Sequence, residues 1–386
     1  MRILFCNYEY PPLGGGGGVI NAQLAEELAR THSVTVLTSR AMGLAGDEIV
    51  SGVRVIRAPV LGRSMTAAAN MLSMATYLPS GYARGRELLR EERYDVINTH
   101  FVLPTGPLGA KLAGFANIPN VLTVHGGDLF DPSKASSPHR HAVLRAAVRH
   151  LLRRASVVVG QSRNTIENVH QFYTPDLHCE LIPLGIRRPS IQGGNRADYG
   201  FEPSDTILVT VGRLVRRKAN DQLIEMIARI PDQSVRLLII GDGPLRNDLQ
   251  QLAEARNVAD RVIFAGFVSE NEKQGLLAVA DLYVSTSQHE GFGLVFLEAM
   301  AAGLPVVCYD FGGQTDFLED GRTGALVSLN SQDEFLQSCQ SLLASPEEMN
   351  RAATENLRSV EDYFIDNCAK RYEMLFENTI KEFPGR

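Results

Sequence analysis

Residues 285–309 read Ser-Thr-Ser-Gln-His-Glu-Gly-Phe-Gly-Leu-Val-Phe-Leu-Glu-Ala-Met-Ala-Ala-Gly-Leu-Pro-Val-Val-Cys-Tyr, and they leave the chain little freedom. Residues 281–285 read as a short strand, Gly291 and Gly293 loosen the turn after it, and residues 294–302 are apolar on all sides until Gly303 and Pro305 stop the helix. A helix apolar all round is a buried one. Between Gly291 and Val307 the only charged side chain is Glu298, about one turn inside that helix, where an unpaired carboxylate would cost several kcal/mol. Glu290 lies in the loop just before the helix, so two carboxylates bracket a helix N-terminus. Free N–H groups at Gly293, Leu294 and Val295, with the partial positive charge of the helix end, suit a phosphate. The pattern fits a ligand with an anionic centre and a hydroxyl-bearing group on each side, which is the shape of a nucleoside diphosphate sugar. The alternative is a Glu298 held by a core partner and a Glu290 that is merely solvated.

Strand, loop and helix recur along the chain. Residues 2–8 form an apolar strand that leads into five consecutive glycines at 14–18, among them Gly15, Gly16 and Gly17, and then into a helix over 19–30. Glycines in that place let bare backbone approach a ligand and form an anion nest. A dinucleotide fingerprint is excluded, because Val19 or Ile20 stands where its third Gly or Ala belongs. Strands over 33–38, 53–57, 94–100, 120–125 and 156–160 continue a parallel sheet with right-handed crossovers. His100 and His125 close two of these strands at the carboxyl ends, where open α/β sheets put ligands, and Gly126-Gly127-Asp128 directly after His125 expose it. A histidine capping a strand can equally be structural, and for His100 the two readings stay level.

The second half repeats the logic, with strands over 206–211, 235–240 and 261–264 and helices over 221–229 and 245–256. After its first strand comes Gly212-Arg213-Leu214-Val215-Arg216-Arg217-Lys218. A guanidinium and an ammonium at a strand's carboxyl end suit a diphosphate that gains charge as its bond to a sugar breaks, whereas Arg216 and Arg217 could equally be solvated.

The run from His289 through Val307 resembles the Glu-x7-Glu signature of the retaining glycosyltransferases of family four, which have the GT-B fold. The resemblance implies two Rossmann-like domains, α/β in class, with parallel sheets facing across a cleft. It divides the chain into an acceptor-side domain at 1–186 completed by a helix at about 367–386, a linker at 187–204, and a nucleotide-sugar domain at 205–366. By the same resemblance Glu290 touches the donor sugar and Glu298 the ribose, with Gly291, Phe292, Gly293, Leu294 and Val295 around the donor. Arg213 and Lys218 match the family's Gly-Arg-x4-Lys and bind the donor diphosphate. His125 matches a His-Gly-x-Asp whose histidine lies over the transferred sugar, with Asp128 and His100 on the acceptor or sugar side. The glycine stretch resembles the loop facing donor phosphate and acceptor, and Gly266-Phe267 the base-contacting turn. Arg187 replaces the family's usual acid, and Asp316 its usual glutamate, so neither takes a role.

No Asp-x-Asp occurs, which removes the metal-diphosphate site of the other large glycosyltransferase fold, and no metal or other cofactor is expected. Phosphate-loop, nucleophile-elbow and His-Glu-x-x-His motifs are also missing. Residues 1–185 carry 18 Lys and Arg against 14 Asp and Glu, and residues 186–386 carry 20 against 30, with no Trp and no basic tail, so nucleic acid is not a partner. Five scattered cysteines without a Cys-x2-Cys pair point to a reducing cytoplasm. The uncharged stretch 65–78 and the helix over 139–154, with Arg145, Arg149 and Arg153 on one face, can together lie on an anionic membrane at its inner surface, but a solvated face on a core helix is the favoured reading of those arginines. The expected activity is retaining, metal-independent sugar transfer from a UDP- or GDP-sugar to a glycan, glycolipid or small-molecule hydroxyl. A GT-B nucleotide-sugar epimerase and a non-catalytic nucleotide-sugar-binding protein are the alternatives.

Overall fold

The computed structural model describes residues 1–63, 71–132, 134–190 and 193–384. It separates into two compact units, Met1–Arg187 with Phe364–Arg386, and Arg188–Tyr363.

In the first unit short runs of branched and aromatic residues, buried on both faces, form parallel strands, and the intervening amphipathic stretches form helices. The order is β1 (Arg2–Cys6), α1 (Gly16–Leu28), β2 (Ser33–Arg40), β3 (Asp47–Val50), β4 (Val53–Pro59), α2 (Met71–Glu91), β5 (Val96–His100), α3 (Gly106–Ala116), β6 (Asn120–Val124), α4 (Ala142–Arg154), β7 (Val157–Gly160), α5 (Arg163–Phe172) and β8 (Cys179–Leu181). Among the described residues these strands make an eight-stranded sheet, β3-β4-β2-β1-β5-β6-β7-β8, parallel except for the β3/β4 hairpin. That hairpin turns through Ser51 and Gly52, both at positive φ (49° and 84°), and it was not foreseen from sequence. Strand order reverses between β1 and β5, so the loops after those two strands flank a switch point.

The second unit runs β9 (Thr206–Val211), α6 (Asn220–Arg229), β10 (Val235–Ile240), α7 (Arg246–Ala255), β11 (Val262–Gly266), α8 (Glu270–Ala278), β12 (Leu282–Ser285), α9 (Leu294–Ala301), β13 (Val306–Tyr309), β14 (Gly324–Val327), α10 (Gln332–Leu343) and α11 (Pro346–Ser359). Among the described residues its sheet has six parallel strands, β11-β10-β9-β12-β13-β14, with the reversal between β9 and β12. The stretch read as a linker is packed with this unit from Arg188 on: Arg196 donates to the Asp205 carbonyl at 2.7 Å and to Asp281 Oδ1 at 2.6 Å.

The chain ends as α12 (Ile365–Glu382), which belongs to the first unit. Ile365 N donates to the Ile186 carbonyl at 2.8 Å, and a Cβ on Gly185 would sit 2.6 Å from Ile365 Cα, so only glycine admits this approach. Tyr372 and Phe376, both fully buried, join Leu24, Ala25 and Leu28 of α1 in one core cluster. Truncating either aromatic would cost about 3–5 kcal/mol.

The two segments read as a possible membrane-facing surface are only partly described. Residues 65–70 of the uncharged stretch lie outside the described residues, and the next two, Met71 and Leu72, are 84% and 55% exposed. In α4 Val148, Leu151 and Leu152 are buried in the core, as in a core helix with a basic outer face, whereas Val143 is 81% exposed. Arg149 donates to the Tyr173 carbonyl at 2.8 Å and Arg153 faces Asp176 at 3.6 Å. Among the described residues no helix is long and apolar enough to cross a membrane.

Candidate active site

In the second unit the two motif-bearing loops follow β9 and β12, the strands on either side of the reversal, so topology alone brings them together. The β9 loop is held by backbone bonds, Leu214 N to the Asp242 carbonyl (3.0 Å) and Leu245 N to the Leu214 carbonyl (3.2 Å). A Cβ on Gly243 would stand 2.4 Å from the Leu214 carbonyl oxygen, which explains the Gly241-x-Gly243 turn as packing. Arg213 is left exposed, and among the described residues no acid pairs with it.

Glu290 is 8% exposed. Its Oε1 meets Lys218 Nζ and accepts from Ser287 Oγ at 2.7 Å, and its Oε2 accepts from Arg217 Nη1 at 3.0 Å. Arg217 also donates to the His289 carbonyl. Burial by itself would raise the Glu290 carboxyl, but the charges of Lys218 and Arg217 and the hydrogen bonds from Lys218 and Ser287 overcome it and hold the group down at about 2. Gly313 N donates to the Glu290 carbonyl at 2.8 Å, and a Cβ on Gly313 would meet the Gly291 carbonyl oxygen at 2.2 Å, so the glycine pair after β13 clamps the loop. Arg217, which sequence left as a solvated option, is thus one of three groups that fix Glu290.

The helix α9 starts at Leu294 after Gly293, which has φ +95° and offers no side-chain cap. Leu294 and Val295 are half-buried at that open end. Phe292 is 3% exposed, with its ring between Phe317 (5.2 Å) and Tyr363 (6.4 Å). That corrects its placement beside the donor: the ring is a core wedge beneath the loop. Glu298 does find a protein partner, Lys273 Nζ of α8, which donates to Oε1 at 2.8 Å and also faces Glu270 at 2.9 Å. Glu298 Oε2 is buried with no hydrogen-bond partner. Burial raises the Glu298 carboxyl, and Lys273 opposes that only in part. An orphaned carboxylate oxygen one turn inside a helix is what a ligand hydroxyl could satisfy. Gly266 sits at φ +72° and Phe267 is 89% exposed, an aromatic ring presented to solvent at the end of β11.

In the first unit the glycine stretch is not a loop throughout. The helix α1 begins at Gly16, three residues before the expected start at 19, so Gly16, Gly17 and Gly18 form its first turn. First-turn residues carry N–H groups without intrahelical acceptors, so glycine there costs little and exposes amides. A Cβ on Gly15 or Gly16 would meet nothing within 4 Å, whereas one on Gly17 would strike the Phe101 ring at 2.5 Å. Gly15 N donates to Glu9 Oε2 at 3.2 Å.

Phe101, itself at φ +69°, stacks on His125 at 4.2 Å between ring centroids. Asn98 donates through Nδ2 to the Val121 carbonyl and to Thr123 Oγ1, both at 3.1 Å, which leaves its Oδ1 to accept from His100 Nε2 at 2.6 Å. A neutral His100 therefore has its lone pair on Nδ1, and His125 must donate Nε2–H to it across 3.0 Å. The lone pair of His125 is then on Nδ1. Thr123 Oγ1 also meets Tyr372 Oη of α12 at 3.1 Å. Burial drives both imidazoles toward the neutral form: His100 falls well below 6.5, aided by His125, and His125 falls to about 4 against a hydrogen bond with Gln161. His100 is 1% exposed with both ring nitrogens engaged by Asn98 and His125, which leaves neither nitrogen to a ligand. Asp128 is likewise occupied, accepting from His125 N at 2.9 Å and Val102 N at 2.7 Å; burial raises its carboxyl to about 6 in spite of those bonds. It joins the loops after β5 and β6.

Two family models match the chain, one described as glycosyl transferases group 1 over residues 193–360 and one as glycosyl transferase 4-like domain over residues 15–185. The D-inositol 3-phosphate glycosyltransferase of Rhodococcus jostii is 32% identical over 312 residues, 73% of this chain and 67% of its own length. The GDP-mannose-dependent alpha-(1-6)-phosphatidylinositol monomannoside mannosyltransferase of Mycolicibacterium smegmatis is 29% identical over 89% of this chain and 90% of its own. Among solved structures, the sucrose-phosphate synthase of Thermosynechococcus elongatus superposes with a TM-score of 0.87 at 23% identity, over 99% of each chain. The fold is GT-B.

Proposed function

The chain belongs to the group 1 glycosyl transferases of family four, and on that premise we propose that it is a retaining, metal-independent hexosyltransferase acting from a UDP- or GDP-sugar on a glycan or lipid-linked hydroxyl. Sugar transfer from a nucleotide sugar is the family's activity; the stereochemistry, metal independence and acceptor class are the proposal. The observation that carries it is the paired-carboxylate loop of the second unit, in which Glu290 is ionised by Lys218 and Arg217 while Glu298 keeps a buried Oε2 without a partner.

In this reading Glu298 Oε2 accepts from a ribose hydroxyl, and Arg213, Lys218 and the open amides at the start of α9 receive the diphosphate. Their charge matters most as the bond from the sugar anomeric carbon to phosphate oxygen breaks, which is the main catalytic contribution. Glu290 orients the sugar, and His125, neutral and with its lone pair on Nδ1, accepts a hydrogen bond from a sugar hydroxyl and donates none through that atom. The acceptor oxygen bonds to the anomeric carbon on the face that the diphosphate leaves, and its proton passes to the departing phosphate oxygen. No side chain is asked to act as a covalent nucleophile. The Mycolicibacterium relative, named for GDP-mannose and phosphatidylinositol monomannoside, supports a lipid-linked acceptor, and such an acceptor would bring the protein to a membrane surface.

Incubation with UDP- and GDP-sugars, with and without EDTA, tests this reading. Release of nucleotide should be unaffected by EDTA, and the first-formed sugar product should keep the donor's anomeric configuration in NMR spectra. Loss of activity restored by Mn²⁺ would refute metal independence, and an inverted product would refute retention.

A further inference from the structure

Arg63 follows β4 by four residues, so it stands at the carboxyl end of the sheet that carries the glycine turn and His125. Its side chain is 6% exposed, and Nε, Nη1 and Nη2 are each buried without a hydrogen-bond acceptor. Other buried arginines of this chain have acceptors. Arg57, 4% exposed, pairs with Glu48 and reaches the Pro11 carbonyl, and Arg261, 3% exposed, donates to the carbonyls of Ile227, Ile230 and Asp232. Among the described residues Arg63 has only a ring: its guanidinium lies over Tyr8 with Cζ 4.8 Å from the centroid. That ring does not move freely. Tyr8 Oη shares a hydrogen bond with Ser73 Oγ at 2.7 Å, Tyr8 N donates to Thr105 Oγ1 at 3.2 Å, and its carbonyl accepts from Ser39 Oγ at 2.7 Å. Asn7, next in the chain and fully buried, has a second donor, Nδ2, without an acceptor at the same strand end.

An aromatic face offsets part of a guanidinium's charge but accepts none of its five N–H groups in plane. A guanidinium fixed by stacking, dehydrated and unpaired is complementary to a planar pair of oxygens, the geometry of carboxylate or phosphate. We propose that Arg63, stacked on Tyr8, is an oxyanion-binding position and that the acceptor carries the phosphate or carboxylate it takes. Assigning that anion to the acceptor rests on the transferase reading above, in which Arg213 and Lys218 of the other unit already serve the donor diphosphate.

The probe is inorganic phosphate, titrated by calorimetry and thermal melting into protein saturated with UDP or GDP, for wild type, Arg63→Met and Arg63→Lys. Wild type should bind phosphate and melt higher with it. Arg63→Met should bind it at least ten-fold more weakly with nucleotide affinity unchanged, and in phosphate-free buffer should melt no lower than wild type, since it loses no hydrogen bond. Arg63→Lys, which keeps the charge but not the fork, should fall between them and serves if the methionine variant does not fold. Phosphate binding that survives in Arg63→Met would overturn the proposal. So would a loss of UDP and GDP affinity in that variant, because the anion would then be the donor diphosphate. If wild type binds neither nucleotide, the transferase reading fails, and the phosphate titration of wild type against Arg63→Met still decides whether the guanidinium takes an oxyanion.

Discussion

Replacing Glu298 by Gln separates binding from folding at the centre of the site. In the ligand-free protein Oε1 accepts from Lys273 at 2.8 Å and Oε2 is buried without a partner. The amide keeps one oxygen for Lys273, so that contact changes from a charged to a neutral acceptor, a loss of about 1 kcal/mol. Lys273 stays paired with Glu270 at 2.9 Å, and the variant no longer buries a charge whose titration burial pushes upward. These terms nearly cancel, and melting should shift by no more than about 2–4 °C. Binding is a different matter. The atom replacing Oε2 is an N–H₂ that confronts a ribose hydroxyl donor, so a charged hydrogen bond worth about 1.5–3 kcal/mol is lost, roughly 10- to 150-fold in affinity for UDP or GDP. Calorimetric titration should show that loss with ribonucleotides, whereas a 2′,3′-dideoxynucleoside diphosphate should bind both proteins alike. A variant that melts far lower yet binds ribonucleotide as tightly as wild type would refute the reasoning and make Glu298 a structural partner of Lys273.

Lys218→Ala should lower kcat by more than it weakens donor binding, because the ammonium counts most as the diphosphate departs; single-turnover kinetics with an unchanged rate and weaker binding would reduce it to an anchor. In spectra of ¹⁵N-histidine-labelled protein, His125 should carry its proton on Nε2 and stay neutral down to about pH 4, whereas a proton on Nδ1 or a titration near 6.5 would break the Asn98–His100–His125 argument. Because this folded-state value lies below that of the unfolded chain, the stability it confers is present above 6.5 and is lost as pH falls toward 4, and variants lacking the imidazole should show a shallower acid limb in melting. Glu290 adds a second loss in the same direction between 4.5 and about 2, absent in Glu290→Gln. If the exposed Met71, Leu72 and the arginines of α4 meet a membrane, the protein should sediment with anionic liposomes at low salt and release at high salt; no binding at low salt would exclude that surface.

The parts of the site that could be read in the sequence are those whose spacing is set by one loop. Gly212-Arg213 to Lys218 follows a single strand, His125 to Asp128 another, and Glu290 to Glu298 spans one turn and one helix, so linear order predicts proximity. The unreadable parts depend on elements far apart in the chain. Lys273 reaches Glu298 from α8, and Tyr372 meets Thr123 from 249 residues away, with nothing local to announce either contact. The early start of α1 escaped because five glycines carry no helix propensity, although a first turn does not need it. The β3/β4 hairpin did have a signal, the Ser51-Gly52 pair, but Asp47 and Glu48 hide the strand before it. Phe292 was misplaced for a related reason: an aromatic flanked by two loop glycines looks available to a ligand, and only the positions of Phe317 and Tyr363 show that it is turned inward.

The elements proposed to bind phosphate share a further property that the sequence could not display. In each unit one group suited to phosphate is covered by one of the chain's own carboxylates, although Arg213 and the start of α9 are not: Glu9 accepts from Gly15 N at the head of α1, and Glu290 accepts from Lys218 and Arg217 after β9. A cluster of cations or bare amides held ready without a counter-charge would be costly to keep in a partly buried place. Pairing removes that cost and keeps the side chains in position, but it means that a diphosphate bound as proposed would compete with Glu290 for the Lys218 ammonium. On the proposed reading Arg217 would decide that competition for the ligand: it holds Glu290 Oε2 at 3.0 Å, and Ser287 holds Oε1 at 2.7 Å, so a Lys218 that turned to phosphate would not strand a buried carboxylate.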